Sequence, residues 1–189
     1  MKTILTITTL IILMTSACSQ STDQSNKDVN VKTASVVTKP KVDIHTAVIS
    51  GNLEAVKQHI AAGTNINGKD AMTGSTPLIS ASSFGKIEIA EALINAGANL
   101  SLKNGDGSTA LHAAAFFGRI EIVQLLIDAN ADKTIRNNFG ATPRETVEGP
   151  FEEVKPVYEM LQLQLGPIGL EIDLEEIEKA RPVVAMMLQ

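Results

Sequence analysis

Three histidines, one cysteine and 21 carboxylates are the groups in this chain of 189 residues with an obvious capacity for chemistry. A metal site needs His, Cys or carboxylate ligands at short, fixed spacings. His45, His59 and His112 are not at such spacing with one another, and Cys18 stands apart near the start of the chain. Glu88 and Glu121 occupy equivalent places in a repeated pattern, so they read as pattern rather than as a general acid and base. The glycines of Asn104-Gly105-Asp106-Gly107 suit a turn, and no Lys-Ser or Lys-Thr follows them as a phosphate loop would require. These groups therefore imply no catalytic residue, no metal and no cofactor. The net charge of −5 and pI near 5.2 supply no basic face for a nucleic acid. What remains is binding, and with aromatics at only 3% of the chain each Phe calls for a reason.

The elements that must position such a surface recur. Thr76 to Ser108 lies over Thr109 to Ala141 at a shift of 33 residues, with Thr76 over Thr109, Leu78 over Leu111, Gly85 over Gly118 and Ile87-Glu88-Ile89 over Ile120-Glu121-Ile122. An earlier copy starts near Val42, at a shift of 34, with His45 over Ile79, Gly51 over Gly85 and Gly63 over Gly97. A period of this size marks a stacked repeat array. In the third copy Thr109 is placed to cap a short helix rich in small residues, Ala110 to Ala115, which Gly118 ends. A second helix follows, with Ile120, Val123, Leu126 and Ile127 on one stripe, and Asn130 takes the left-handed end position held by Gly63 and Gly97. Each pair is apolar on both sides and is stable only when stacked.

The ends of the chain read differently. Residues 1–17 have a charged start, a short apolar run from Ile4 to Met14 and small residues before Cys18, as an export signal does. The apolar run is too short to span a bilayer, which takes about 20 residues. Residues 18–41 are polar and lack aromatics, so they read as a tether that would hold a domain roughly 25 Å from its anchor. After the array, residues 149–189 read as a helical cap: a stripe of Val154, Val157, Tyr158, Leu161 and Leu165, a break at Gly166-Pro167, an acidic helix opened by Asp173, and a last turn that Pro182 can start. A docking surface of its own is the alternative role for this region.

The repeated unit resembles the ankyrin repeat. The family pattern is met by Gly107-Ser108-Thr109-Ala110-Leu111-His112-Ala113-Ala114, Gly118, Glu121-Ile122-Val123, Leu125-Leu126 and Ala131-Asp132, and by Gly74, Thr76-Pro77-Leu78, Gly85, Glu88-Ile89-Ala90 and Gly97-Ala98-Asn99. The resemblance covers residues 42–148, as units 42–75, 76–108 and 109–141 and the start of a degenerate fourth at Thr142-Pro143-Arg144. It implies an all-α solenoid with β-turn fingers, in which His45 and His112 hold the structural His position and tie neighbouring loops. It also implies a protein partner, bound across the fingers and the groove lined by the first helices. The groove positions are Ile49 and Ser50, Ser83 and Phe84, Phe116 and Phe117, so three of the five Phe residues lie there. Phe116 is expected to be exposed, while Phe84 and Phe117 suit either a contact surface or packing between units. Phe139, Lys69, Met72, Lys103, Asp106, Arg136 and Asn138 would form the rim on the fingers. Thr15-Ser16-Ala17-Cys18 likewise resembles the lipobox of bacterial lipoproteins, implying acylation of Cys18, and Ser19 resembles the outer-membrane sorting pattern. An ordinary signal ending at Ala17 is the alternative. Together these imply a monomeric, lipid-anchored protein facing the periplasm that binds another protein, or else inhibits a secreted or periplasmic enzyme or toxin.

Overall fold

A computed structural model describes residues 40–189. The export signal, Cys18 and nearly all of the tether lie outside the described residues. Within them the chain forms eight α-helices and no strand. Three antiparallel pairs come first: α1 (Ile44–Ile49) with α2 (Leu53–Ala61), α3 (Pro77–Ser83) with α4 (Ile87–Asn95), and α5 (Ala110–Phe116) with α6 (Ile120–Asp128). Helices α1, α3 and α5 stack in one layer and α2, α4 and α6 in a second. This is the all-α solenoid that the resemblance to the ankyrin repeat implies.

Each inner helix starts on a side-chain cap. Asp43 accepts hydrogen bonds from the backbone of His45 and Thr46, and Thr76 and Thr109 accept from Ile79 and His112. Such a cap contributes about 1 kcal/mol. Small residues let the layers close: Ala47, Ala81, Ala90, Ala114 and Ala115 are fully buried, beside Val48, Leu93, Val123 and Leu126. Asn130 adopts a left-handed conformation with φ of 62°.

The histidines divide differently from the expected pattern. His112 does act as the structural His: its Nδ1 lies 2.8 Å from Thr109 Oγ1 and accepts from the Thr109 amide, and its Nε2 donates to the Ala141 carbonyl at 3.0 Å. His45 does not, because Nδ1 of its half-buried ring finds no partner. In the first repeat it is His59 whose ring is tied, but within its own unit, with ring nitrogens 2.8 Å from the Val42 carbonyl and 3.0 Å from Thr64 Oγ1. It occupies the place of Leu93 and Leu126 and is fully buried, which two hydrogen bonds make tolerable.

The finger after each pair is built by one side chain. Asp70 accepts from the amides of Met72, Thr73 and Ser75, Asn104 from Asp106 and Ser108, and Asn137 from Phe139 and Ala141. Adjacent fingers then bond to each other, Gly105 N–H to the Thr73 carbonyl at 2.8 Å and Asn138 N–H to the Asp106 carbonyl at 2.9 Å. Gly107 is the tightest point: its φ is 73°, and a Cβ there would sit 2.4 Å from Asn138 Oδ1.

The fourth unit shrinks to one turn, in which Thr142 N–H donates to Glu145 and Glu145 N–H to the Thr142 hydroxyl. Helix α7 (Phe151–Leu165), a 3₁₀ turn (Gly166–Ile168) and α8 (Leu174–Met187) complete the chain. Helix α8 packs on α5 and α6, with Val184 and Leu188 in the main core beside Val147. It runs unbroken through Pro182 rather than restarting there, since Arg181 and Val184 on either side are buried and hold the helix across the missing N–H.

Two outcomes test this packing. Gly107→Ala should destabilise the fold by more than about 1 kcal/mol, read from denaturant unfolding, because it combines a disfavoured φ with a clash; an unchanged midpoint would mean that the fingers are not in contact there. The second concerns pH. Burial pushes the His112 imidazole below its ordinary value, against the bond to Ala141, and Lys103 lowers it further. The unfolded chain therefore binds this proton more readily, so His112 costs nothing well above about pH 6.5 and destabilises as pH falls below it. Unfolding free energy should fall between about pH 7 and pH 5, and less steeply in His112→Gln.

Candidate functional site

The residues that sequence reasoning grouped as one contact surface fall on two separate ones. Lys103, Asp106, Arg136, Asn138 and Phe139 are exposed on the fingers, together with Lys69 and Met72. Met72 and Phe139 stand 95% and 79% exposed, the most open large apolar side chain on each of two finger tips. Around them Lys103, Arg136 and Asn138 are held in place. Lys103 Nζ donates to the Arg136 carbonyl at 2.9 Å and Asn138 Nδ2 to the Gly105 carbonyl at 3.0 Å. Arg136 pairs with Glu145 at 2.7 Å and also donates to the Gly140 carbonyl. The Thr142 amide and then Arg136 hold the exposed Glu145 carboxyl below its ordinary value. Burial raises the Asp70 carboxyl, but hydrogen bonds from Thr73, Met72 and Ser75 outweigh it and leave the group lowered. The fingers thus present two apolar tips on a frame whose polar groups are already oriented.

Phe84, Phe116 and Phe117 lie elsewhere, at the ends of the inner helices, and the chain's own C-terminal segment covers them. Tyr158 of α7 is fully buried and stacks on Phe116, with ring centroids 4.5 Å apart and planes 25° from parallel. Phe117 meets both rings edge-on, and the Tyr158 hydroxyl donates to the Phe116 carbonyl at 2.6 Å. Leu170 and Ile177 complete a second apolar cluster, against which Phe84, Val154, Leu161 and Leu165 pack. Phe116, expected to be open, is therefore half-buried, and Phe117 is only 8% exposed. Val157 departs from the sequence-read stripe and faces solvent.

The covering segment crosses all three repeats. Gly169 lies against the first, where an added Cβ would be 3.9 Å from the Ile49 carbonyl oxygen. Arg119, which follows the third repeat's Gly118, donates to the Glu171 carbonyl at 2.6 Å, and its flank also meets Gly85 of the second. Helix α8 closes over Gly118, where a Cβ would sit 3.0 Å from that of Ala180. Tyr158 is the residue sequence reasoning placed on a stripe without assigning it a partner. Its phenol is pushed above its ordinary value by burial, with Arg181 nearby acting in the opposite direction.

Comparison with known proteins agrees with this architecture. A family model described as "Ankyrin repeats (3 copies)" matches residues 44–137. Protein phosphatase 1 regulatory subunit 27 of Mus musculus is 47% identical over 64 residues, 34% of this chain and 41% of that protein. DNA-binding protein RFXANK of Homo sapiens is 37% identical over 70 residues, 37% of this chain and 27% of that protein. The chain thus spans less than half the length of either relative. Among solved structures, the ankyrin repeat domain of Bcl-3, a member of the IkappaB protein family, aligns with a TM-score of 0.54 and 28% identity, covering 61% of this chain and 50% of that one. The three stacked helix pairs lie within the matched residues, and residues 44–137 form an ankyrin-repeat domain.

Proposed function

We propose that this chain is a protein-binding module tethered to a bacterial cell envelope, and that its partner is met by the finger surface of the array. The observation that carries the reading is the pair of exposed apolar tips, Met72 and Phe139, on a frame of Lys103, Asp106, Arg136 and Asn138. Apolar side chains amid oriented polar groups are what interfaces use as anchor and rim. The groove aromatics Phe84, Phe116 and Phe117 stand apart from this surface, packed with Tyr158 and Leu170 of the C-terminal segment. The net charge of −5 speaks for a protein over a nucleic acid as partner, although one relative is named as DNA-binding.

The envelope part of the proposal rests on the lipobox-like Cys18, acylated after export, with residues 19–41 as spacer and the domain acting as a monomer outside the cytoplasm. Two acyl chains give stable anchoring where one binds marginally. A regulatory or inhibitory role toward an exported enzyme is the second reading, favoured by the similarity to a protein named as a phosphatase regulatory subunit.

Crosslinking capture from envelope extracts with the full chain is expected to recover a specific partner. Met72→Asp combined with Phe139→Asp should weaken that capture by at least about tenfold, as loss of a hot spot does, without changing the melting temperature. Unchanged capture by the folded double variant would refute the finger surface. Cys18→Ser should move the protein from the membrane to the soluble fraction, and retention on the membrane would refute the anchor.

A further inference from the structure

Helix α7 has the form of a bound ligand more than of a structural element. Its only buried residue is Tyr158. Val154, Tyr158, Leu161 and Leu165, spaced four, three and four apart, lay one stripe against the aromatic patch of the array. This is how an amphipathic helix sits in a groove. Its other faces are open: Val157, Met160 and Leu163 are 41%, 48% and 81% exposed. An open cleft of about 550 Å³ separates it from the segment that follows, lined by Tyr158, Gln162, Leu163, Pro167, Ile172 and Leu174.

Helix α8 is attached quite differently. It buries Ile177, Ala180, Arg181 and Val184, joins the main core, and is further held by Lys133, whose Nζ donates to the Met187 and Gln189 carbonyls at 3.4 and 3.0 Å. Its Val184 closes the end of the array together with Leu188 and Val147. Besides the stripe, α7 is held at its start by Arg181, over the Phe151 ring at 5.9 Å and donating to the Gly149 carbonyl at 3.2 Å, and near its end by the Ile172 amide donating to Gln162 at 2.9 Å. A one-turn remnant and a 3₁₀ turn connect it on either side.

We propose that the patch formed by Phe84, Phe116 and Phe117 is a second binding site, and that α7 is its built-in occupant, exchangeable for an amphipathic partner helix carrying a tyrosine on its apolar stripe. The chemistry of that partner is set by what the site now holds. Phe116 offers a ring face for stacking and its carbonyl accepts the phenol hydroxyl, so an aliphatic anchor would leave that acceptor empty. Release of α7 leaves the repeats and α8 in place. The inference concerns a different surface from the finger tips and stands whether or not those bind a partner.

Hydrogen exchange on the intact protein tests the first half: the amides of α7 should exchange at least about tenfold faster than those of α8, through an opening that spares the repeats. Exchange of α7 and α8 at one common rate would overturn the proposal. For the second half, a fluorescent peptide of residues 150–166 is titrated into the full chain. Tyr158→Ala should bind the peptide saturably, the wild type at least about tenfold more weakly because its site is filled, and the double variant Tyr158→Ala, Phe116→Ala not at all. A peptide whose own tyrosine is changed to leucine should also lose binding. No peptide binding to Tyr158→Ala, or unfolding of the repeats in that variant, would overturn the proposal, since α7 would then be an integral part of the fold.

Discussion

A helix pair of this kind cannot hide its own apolar surface, and everything else in the structure follows from that constraint. The three pairs satisfy one another in the interior of the array, where Leu78, Leu93, Leu111 and Leu126 are all but fully buried. The last pair has no fourth to meet, since the segment from Thr142 to Val147 makes only one turn. Helix α8 supplies the missing surface. Each fully buried side chain of the size of Val184 or Leu188 contributes about 1.5–3 kcal/mol, enough to make the difference between a soluble end and an adhesive one.

The aromatic cluster meets the same constraint at a second place. Phe116 and Phe117 project from the end of an inner helix and would be costly to leave in water, and Tyr158 covers them while keeping its hydroxyl bonded. Aromatic pairs at such distances contribute about 0.5–1.5 kcal/mol beyond the area they bury. The fingers meet no such constraint. Asp70, Asn104 and Asn137 fix their turns from within, so Met72 and Phe139 can stay exposed on a stiff support. Stiffness matters to binding because little further ordering is needed when a partner arrives.

The sequence made the repeat legible because its signals are local: a capping Thr, a run of small residues, a Gly or Asn that ends a helix. Thr109, Ala114, Val123 and Asn130 all play the expected parts. The finger residues were also legible, since a turn places its tip in solvent whatever the rest of the chain does. Two things were not. His59 lies in a leucine's place, and only the three-dimensional arrival of the Val42 carbonyl shows how a buried ring can stand there. The covering of Phe116 depends on a contact with Tyr158, 42 residues later, between elements with no repeated pattern to set their register. The stripe on α7 showed that it would pack; nothing in its spacing showed against what.

The fold-back of α7 onto the aromatic patch has a direct reporter, because the chain has one tyrosine and no tryptophan. Ultraviolet titration of the intact protein therefore reads Tyr158 alone. Buried under Phe116, the phenol should ionise above the ordinary value for tyrosine, and ionise at that ordinary value once the chain is unfolded in denaturant. Ionisation of the folded protein at the ordinary value, with ready quenching of the tyrosine fluorescence by a neutral solute, would contradict the contact on which the covered patch depends.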